Sequence, residues 1–479
     1  MLFNSLQFAV FFPVAVALYF ALPRRLKTLT LLLLSCVFYM AFIPSYIVIL
    51  GVTIAIDYAA GIWLERVDGS KRRFVLGLSI VSTCIVLFVF KYFNFFVSTF
   101  VGFGRLLGWQ LPDATVSLIL PIGLSFHTFQ SLSYVIEVYR GHQKAERDVI
   151  TYATYVMFFP QLVAGPIERP QNLLHQFYES HSFEHQRVAS GLKRMAWGFF
   201  KKLVVADRLA LYVNDVFSRP HEHNGLQLTI ASVFFAYQIY CDFSGYSDIA
   251  IGAARVLGFR LMENFRTPYW SVTVSEFWQR WHISLSTWFR DYLFTPLGGA
   301  WVKRPRLLMN LLITFTISGL WHGANWTYVA WGAINGAYIA IGILTKSTRD
   351  KGYRLIGIGK TSLIRTAIGI ATTFTLTTAA LVFFRANSFS DALYVLSHWF
   401  RNWDFGNVRT EQFLLRQMPV AILSIGFVEA VQYLHSRGAL TRSLARYPST
   451  IRWPVYIGFT LAVVLLGVYR SSQFIYFQF

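Results

Sequence analysis

The 479-residue sequence is apolar and strongly basic, with 55% hydrophobic, 18% aromatic and only 14% charged residues and a formal net charge of +20. Soluble domains carry about a quarter charged residues, so this composition excludes a soluble globular protein. The basic residues lie in short loops beside apolar runs, which favours a positive-inside membrane orientation over nucleic-acid binding. A role for some of them in holding the phosphates of a soluble donor stays open.

Apolar runs of membrane-spanning length recur along most of the chain and predict an all-α polytopic membrane protein with about eleven transmembrane helices. The predicted spans cover residues 7–22, 28–43, 46–63, 74–100, 116–139, 226–251, 307–321, 328–344, 366–384, 419–434 and 454–469. The basic loops 24–27, 65–73 and 140–147 are expected on the cytoplasmic side, which places the N-terminus outside. Because the sequence contains no long Pro/Ser-rich linker, we predict a single membrane domain over residues 1–479.

Three further segments are predicted to be re-entrant or interfacial. The apolar run 150–165 is interrupted by Pro160 and closed by a Gly-Pro pair, which is typical of a discontinuous element. Residues 191–211 carry several lysines and arginines and are predicted to form an amphipathic helix at the cytoplasmic interface. The segment 275–299 has basic flanks, so we predict a helix that enters and leaves on one side, with His282 between its aromatic and polar faces.

His322 ends a segment, residues 307–321, that contains no charged residue. Polar residues lead to it at intervals of four and would share one face of a helix: Asn310, Thr314, Ser318 and His322. Two interpretations of the imidazole stay open, a catalytic group or a hydrogen-bonded ring between interfacial tryptophans. Gly319 and Gly323 likewise indicate either close helix packing or close approach of a substrate to the backbone.

Other ionisable residues in apolar surroundings favour structural roles. Asp242 and Asp248 lie within the run 226–251, where they either orient a histidine or bond neighbouring backbone and arginines, and we favour the latter. His127 is interpreted as a hydrogen-bonded core residue. The tripeptide His221-Glu222-His223 lacks a third spaced ligand, so we predict a solvated loop and no metal site.

The histidines are candidates for acid–base chemistry because familiar catalytic motifs are missing from the sequence. It contains no G-x-S-x-G elbow, Walker loop, Rossmann glycine fingerprint or H-E-x-x-H zinc site. An imidazole can take the proton from a hydroxyl that attacks a thioester and return it to the leaving thiol. A neighbouring Asn, Asp or second His could orient that ring or stabilise the developing oxyanion.

Several motifs resemble those of the membrane-bound O-acyltransferase family. They are Phe277-Trp278-Gln279-Arg280-Trp281-His282-Ile283-Ser284-Leu285-Ser286, Ser318-Gly319-Leu320-Trp321-His322-Gly323, Phe158-Phe159-Pro160-Gln161-Leu162-Val163-Ala164-Gly165-Pro166-Ile167, residues 242–248 and Asn264-Phe265-Arg266-Thr267-Pro268-Tyr269-Trp270. The first two resemble the family's signature histidine regions. The others are similar to its bacterial branch, which includes alginate O-acetylation proteins and the D-alanine-esterification protein of teichoic acids; the alginate type is the more similar.

The resemblance implies that His322 is the catalytic residue and His282 a supporting histidine. It also implies a bacterial cytoplasmic (inner) membrane location and acetyl-CoA as cytoplasmic donor, with no tightly bound cofactor. A tunnel through the bundle would lead to an acceptor reached from outside. An extracytoplasmic acetyltransferase partner protein would finish transfer to an exported polysaccharide such as alginate.

Further hypotheses concern substrate contacts and a rival class of function. Arg280 and Arg290 are expected to help hold the donor, and Asn325, Asp242 and Ser318 are further candidates for substrate binding. A transporter or flippase component of a polysaccharide export complex would also show many spans and broken helices. It should display repeated halves, which we do not find in the sequence. A structural scaffold for an export complex is a third alternative.

Overall fold

The computed structural model describes residues 1–112, 115–404, 416–436, 447–469 and 474–475. Throughout these ranges the regular structure is helical, with no strand, which confirms the all-α prediction. Six helices in the described part are long and apolar enough to cross a membrane: Tyr46–Arg66, Gly69–Leu106, Trp326–Leu355, Leu363–Arg385, Met418–His435 and Ser449–Leu466. The total of about eleven spans expected from hydropathy stays a prediction.

The chain packs as two compact units and passes between them at three points, two of them within helices and one in the loop at residues 263–264. Unit 1 comprises Met1–Met195 and Ser247–Glu263, and unit 2 comprises Ala196–Tyr246 and Asn264–Phe479. The helices that begin in unit 1 are α1 Leu6–Ala21, α2 Arg24–Met40, α3 Tyr46–Arg66, α4 Gly69–Leu106, α5 Leu124–Arg140, α6 Val149–Met157, α7 Pro170–Leu173 and α8 His185–Phe199. The prediction of one membrane domain remains a prediction.

Unit 2 contains most of the later helices. They are α9 Asp207–Ser218, α10 Gly225–Leu257, α11 Val274–Arg280, α12 Ile283–Phe289, α13 Arg304–His322, α14 Trp326–Leu355, α15 Leu363–Arg385, α16 Phe389–His398, α17 Met418–Ser436 and α18 Ser449–Leu466. A π-helical turn, Phe200–Ala206, joins α8 to α9, and a second, Arg290–Phe294, follows α12. The core of this unit is formed by buried aromatic and aliphatic side chains from the turn Phe200–Ala206 and from α9, α10, α11, α14, α15 and α16, with contributions from α17 and α18.

In unit 1, three helices bring six buried polar side chains together. Each helix contributes a pair spaced by four residues, so that both members share one face. The pairs are Thr53 and Asp57 on α3, Ser79 and Thr83 on α4, and His127 and Ser131 on α5. We call these six residues the polar layer. The Ser79 hydroxyl donates to Asp57 at 2.7 Å, and Thr53 Oγ1 lies 3.0 Å from His127 Nε2, which agrees with a core role for His127.

Two predicted elements of unit 1 differ from the structure or are only partly tested. The predicted span 116–139 is helical only from Leu124, because Pro121 disfavours a helix before it and Gly123 adopts a left-handed conformation at φ 79°. The predicted break in the run 150–165 is confirmed, since α6 ends at Met157 and no helix resumes before Pro170. Its re-entrant character stays a prediction.

Residues 191–211 are helical, as predicted, but their basic side chains do not form the solvent-facing side that an interfacial amphipathic helix would have. Lys201, Lys202 and Arg208 are only 4–6% exposed, so these basic groups do not form a solvent face. Their charges are accommodated by partners inside unit 2, among them Ser244 for Lys201 and two aspartates for Lys202. A further basic loop, expected at residues 437–452 between the last two predicted spans, lies largely outside the described residues.

The predicted continuous helix over residues 275–299 is wrong. The structure contains two short helices, α11 and α12, separated by Trp281 and His282, and then the π-helical turn. The break arises because His282 adopts a left-handed conformation with φ 44° and ψ 54°, which a right-handed helix cannot include. The aromatic arc predicted for one helix is therefore divided between two.

Candidate active site

His322 is the last residue of α13, and its tautomer is set by its own helix. The polar line predicted along this helix is confirmed, since Asn310, Thr314, Ser318 and His322 are all buried. The Nδ1 atom of His322 lies 2.7 Å from the carbonyl oxygen of Ser318. A carbonyl can only accept, so Nδ1 carries the proton and, in the neutral ring, Nε2 carries the lone pair. Nε2 is therefore the atom able to act as a base.

The glycines beside His322 allow α13 and α14 to pack closely. A Cβ atom added at Gly319 would collide with the carbonyl oxygen of Tyr328, and one added at Gly323 would collide with the Tyr328 ring. Both observations support the helix-packing interpretation of these glycines. The close packing fixes the end of α13 and hence the position of the imidazole.

Aromatic side chains surround the His322 ring. Its centroid lies 4.8 Å from that of Trp331, 5.0 Å from Trp321 and 5.7 Å from Phe384. All three contacts are edge-to-face, and His322 itself is only 3% exposed. An apolar wall of this kind lowers the local dielectric and strengthens electrostatic interactions at the ring.

His282 lies beside His322 although 40 positions separate them in the sequence. The two ring centroids are 6.5 Å apart with the planes at 77°, and the ring of Phe243 packs edge-on against His282 at 4.5 Å. His282 is fully buried. Burial, and after it the neighbouring His322, hold the pKa of His282 well below its usual value. His282 is therefore neutral near pH 7 and keeps a single ring N–H.

Asp242 belongs to a buried ionic cluster. Its Oδ1 atom lies 2.6 Å from Lys202 Nζ, and Oδ2 accepts from the backbone N–H of Ile475 at 2.7 Å. Lys202 also contacts Asp207 at 2.8 Å. Desolvation disfavours the charged lysine, but the two carboxylates outweigh it and raise the Lys202 pKa. The contacts correspond to the structural interpretation of Asp242, and its role in substrate binding stays a prediction.

The remaining candidates make contacts that a substrate would have to replace or share. Arg280 pairs with Glu276, and the exposed Arg290 pairs with Asp291 at 2.8 Å. Asn325 caps α14, because its side-chain oxygen accepts from the Thr327 N–H at 3.0 Å. Ser318 contributes its carbonyl to His322. In the part of the chain that the structure describes, no group of three His, Cys, Asp or Glu residues is arranged to hold a metal.

Several residues near the two histidines were not predicted individually. Phe243 and Asn264 lie within motifs that resemble the family, so a signal existed for both, although their contacts could not be inferred. Trp331 and Phe384 are aromatic residues within apolar runs, and nothing in their local sequence distinguishes them from ordinary core or lipid-facing residues.

Comparison with known proteins assigns the family. A model described as "MBOAT, membrane-bound O-acyltransferase family" matches residues 140–352, which include both histidines. The chain is 36% identical to the probable alginate O-acetylase AlgI of Azotobacter vinelandii, over 90% of this chain and 85% of that protein. It is 32% identical to the protein of the same name from Pseudomonas putida over the full length of both. It is 31% identical to the peptidoglycan O-acetyltransferase of Helicobacter pylori, over 83% of this chain and 79% of that one. The chain therefore belongs to the membrane-bound O-acyltransferase family and is a multi-pass, membrane-embedded acyltransferase.

Proposed function

We propose that this acyltransferase takes acetyl groups from cytoplasmic acetyl-CoA and passes them across the bacterial inner membrane for O-acetylation of an exported polysaccharide. The names of its relatives support an acetyl group and a glycan acceptor, since they are called alginate O-acetylases and a peptidoglycan O-acetyltransferase. Basic loops on the predicted cytoplasmic side support that orientation and an N-terminus outside. Alginate or a similar glycan is the final acceptor, reached through an extracytoplasmic partner protein.

The observation that carries the chemistry is the pair of buried imidazoles 6.5 Å apart, with the tautomer of His322 set by Ser318. His322 Nε2 takes the proton from the acceptor hydroxyl as its oxygen attacks the thioester carbonyl. The carbon–sulfur bond then breaks, and the same nitrogen returns the proton to the leaving thiolate. The neutral His282 donates its one N–H toward the oxyanion that develops between these steps.

The surrounding aromatic rings contribute by excluding water. Trp321, Trp331 and Phe384 line the His322 ring, so bulk water has little access to an acyl group held there. Hydrolysis of the donor would compete with transfer if the site were open. The apolar wall therefore favours transfer to the intended acceptor over loss of acetate.

Release of free thiol from acetyl-CoA by the purified protein, supplied with an acceptor, tests the catalytic role of His322. We expect His322→Ala to lower the rate by roughly 100- to 10,000-fold, the usual contribution of a general base. His221→Ala is the matched control, because His221 is an exposed histidine of unit 2 whose partner is Asp391. Substrate movement without any thiol release would instead favour the transport class, and full activity of His322→Ala would overturn the mechanism.

The arginine hypothesis is tested separately through donor affinity. Arg280 and Arg290 flank the segment that carries His282, and each has a carboxylate partner that a phosphate would displace. We expect the double variant Arg280→Gln/Arg290→Gln to bind acetyl-CoA more weakly, with the rate at saturating donor retained. Unchanged donor affinity would remove these residues from the donor site.

A further inference from the structure

The backbone at His282 is held in a conformation that a histidine rarely adopts. Its φ of 44° and ψ of 54° lie in the left-handed region, where the Cβ of an L-residue crowds the following carbonyl. Such a residue persists when its surroundings determine it, and strained positions of this kind cluster at functional sites. The contacts that impose the conformation are therefore informative.

Helix α12 begins directly after His282, and its first N–H groups need acceptors from outside the helix. In many helices a Ser, Thr, Asp or Asn at the position of His282 supplies one with its own side chain. The His282 side chain makes no such bond. Asn264 supplies two acceptors instead. Its backbone carbonyl accepts from the Ile283 N–H at 2.9 Å, and its side-chain oxygen accepts from the Ser284 N–H at 3.2 Å and the Ser284 hydroxyl at 2.9 Å.

A second connection ties the same two segments together just before His282. The backbone N–H of Arg266 donates to the carbonyl of Arg280 at 2.9 Å. His282 is thus bracketed by hydrogen bonds that join the short loop containing Asn264 to both sides of the helix break. Asn264 is only 1% exposed, so water does not compete effectively for its amide.

We propose that Asn264 is a positioning residue for acyl transfer: by capping α12 in place of His282, it holds the left-handed turn that presents the His282 imidazole to His322. This inference rests on the proposed function, in which His282 acts at the reacting centre. It assigns Asn264 no contact with substrate. Loss of the cap lets the turn relax, and the His282 ring then loses its placement beside His322.

Asn264→Ala should lower kcat by roughly 100-fold, the effect expected when a catalytic group is displaced by about 1 Å, while KM changes little. Asn264→Asp retains an acceptor oxygen at the same place and should recover most of the lost rate. Asn264→Gln moves that oxygen by one methylene group and should behave like the alanine variant. If the alanine variant does not fold, the glutamine variant provides the same test of kcat.

Thr273→Ala is the matched control for loss of an ordinary cap. Thr273 caps the neighbouring helix α11 with its own side chain, accepting from the Glu276 N–H at 3.1 Å. Because Thr273 is exposed and Asn264 is buried, we expect this variant to lower the melting temperature less than Asn264→Ala does, with kcat retained. A purely structural role for Asn264 would give the two variants the same kcat.

A double variant separates failure of this inference from failure of the proposed function. If Asn264 acts through His282, then Asn264→Ala should cause no further loss of kcat in a His282→Ala background, because the group it positions is already missing. The positioning role alone would be overturned if Asn264→Ala lowered kcat equally with His282 present and with His282 replaced by Ala. It would also be overturned if Asn264→Ala were fully active while His282→Ala was inactive. Full activity of His282→Ala would instead overturn the proposed part of His282 in catalysis.

Discussion

The polar layer of unit 1 and the histidine pair of unit 2 contain equally buried imidazoles in different surroundings. His127 and His322 are both 3% exposed and both lie on helices. The Thr53 hydroxyl donates to the Leu50 carbonyl, so its oxygen accepts from His127 Nε2, which therefore carries the proton. In His322 the proton is on Nδ1, and Nε2 carries the lone pair.

The two histidines are equally buried, so burial does not distinguish them, whereas their hydrogen-bond partners and neighbours do. In the polar layer, hydroxyl groups from facing helices bond the ionisable side chains, and this arrangement joins the helices. At the other site, backbone carbonyl and aromatic edges orient His322 while a second imidazole lies 6.5 Å away. The hydrogen bond from Nδ1 to the Ser318 carbonyl leaves the lone pair of His322 on Nε2, and the surrounding rings are aromatic. A nitrogen in this state can accept a proton from a bound hydroxyl.

Replacing His322 and His127 by amide residues should give the largest difference in the rate of acyl transfer. His322→Asn keeps an N–H that can reach the Ser318 carbonyl but removes the base, so acyl transfer should fall by roughly 100- to 10,000-fold with little loss of thermal stability. His127→Gln keeps a donor for Thr53 and should retain activity. The measurement is thiol release from acetyl-CoA together with thermal unfolding in detergent. Equal losses of activity in both variants would remove the distinction between the two sites.

The ionic cluster in unit 2 sharpens the comparison, because its Asp242 is next in sequence to Phe243, which packs against His282, and yet the cluster predicts a structural effect. Lys202→Met leaves Asp207 and Asp242 buried without their shared cation and should cost about 3–5 kcal/mol of stability. Lys201→Met is the matched control, since Lys201 is equally buried but donates to the neutral Ser244 hydroxyl. Thermal unfolding should show the smaller loss for Lys201→Met, and similar losses would argue against an ion-pair role for Lys202.

The smallest expected effect concerns the pH dependence of stability. Because the pKa of His282 is lowered on folding, the unfolded chain binds the extra proton first, so His282 contributes stability that is present above about pH 6.5 and is lost below it. The loss amounts to about 1.4 kcal/mol per pH unit. His282→Gln should therefore show a shallower fall in melting temperature than the parent protein between about pH 7 and pH 5. Parallel curves would mean that His282 does not titrate differently on folding.

Features that depend on neighbours within a helix were predictable from the sequence. The line from Asn310 to His322 follows from the four-residue spacing, since residues one turn apart share a helix face whatever surrounds them. The interruption after Met157 follows from Pro160 and the glycine beyond it. The buried state of Lys201 and Lys202 was not predictable in this way, because it depends on acidic and hydroxyl partners far along the chain.

The break at His282 shows most clearly where local inference failed. Its flanking residues favour a continuous amphipathic helix, and no glycine or proline marks a turn. Hydrogen bonds from the loop containing Asn264, which lies 18 positions earlier, hold the residues that follow this left-handed turn. Only a contact between separate segments could offset the cost of that conformation.

The sequence by itself determined that this protein is helical, lies in a membrane and carries His282 and His322 in motifs that resemble acyltransferase signatures. Helical periodicity and the transfer of apolar side chains out of water act locally, so spacing and composition reveal them. Only the tertiary structure decided that the two imidazoles lie 6.5 Å apart and that Phe243, Trp331 and Phe384 surround them. Distances between residues remote in sequence depend on how whole helices pack, and packing is settled by all the contacts of each helix together.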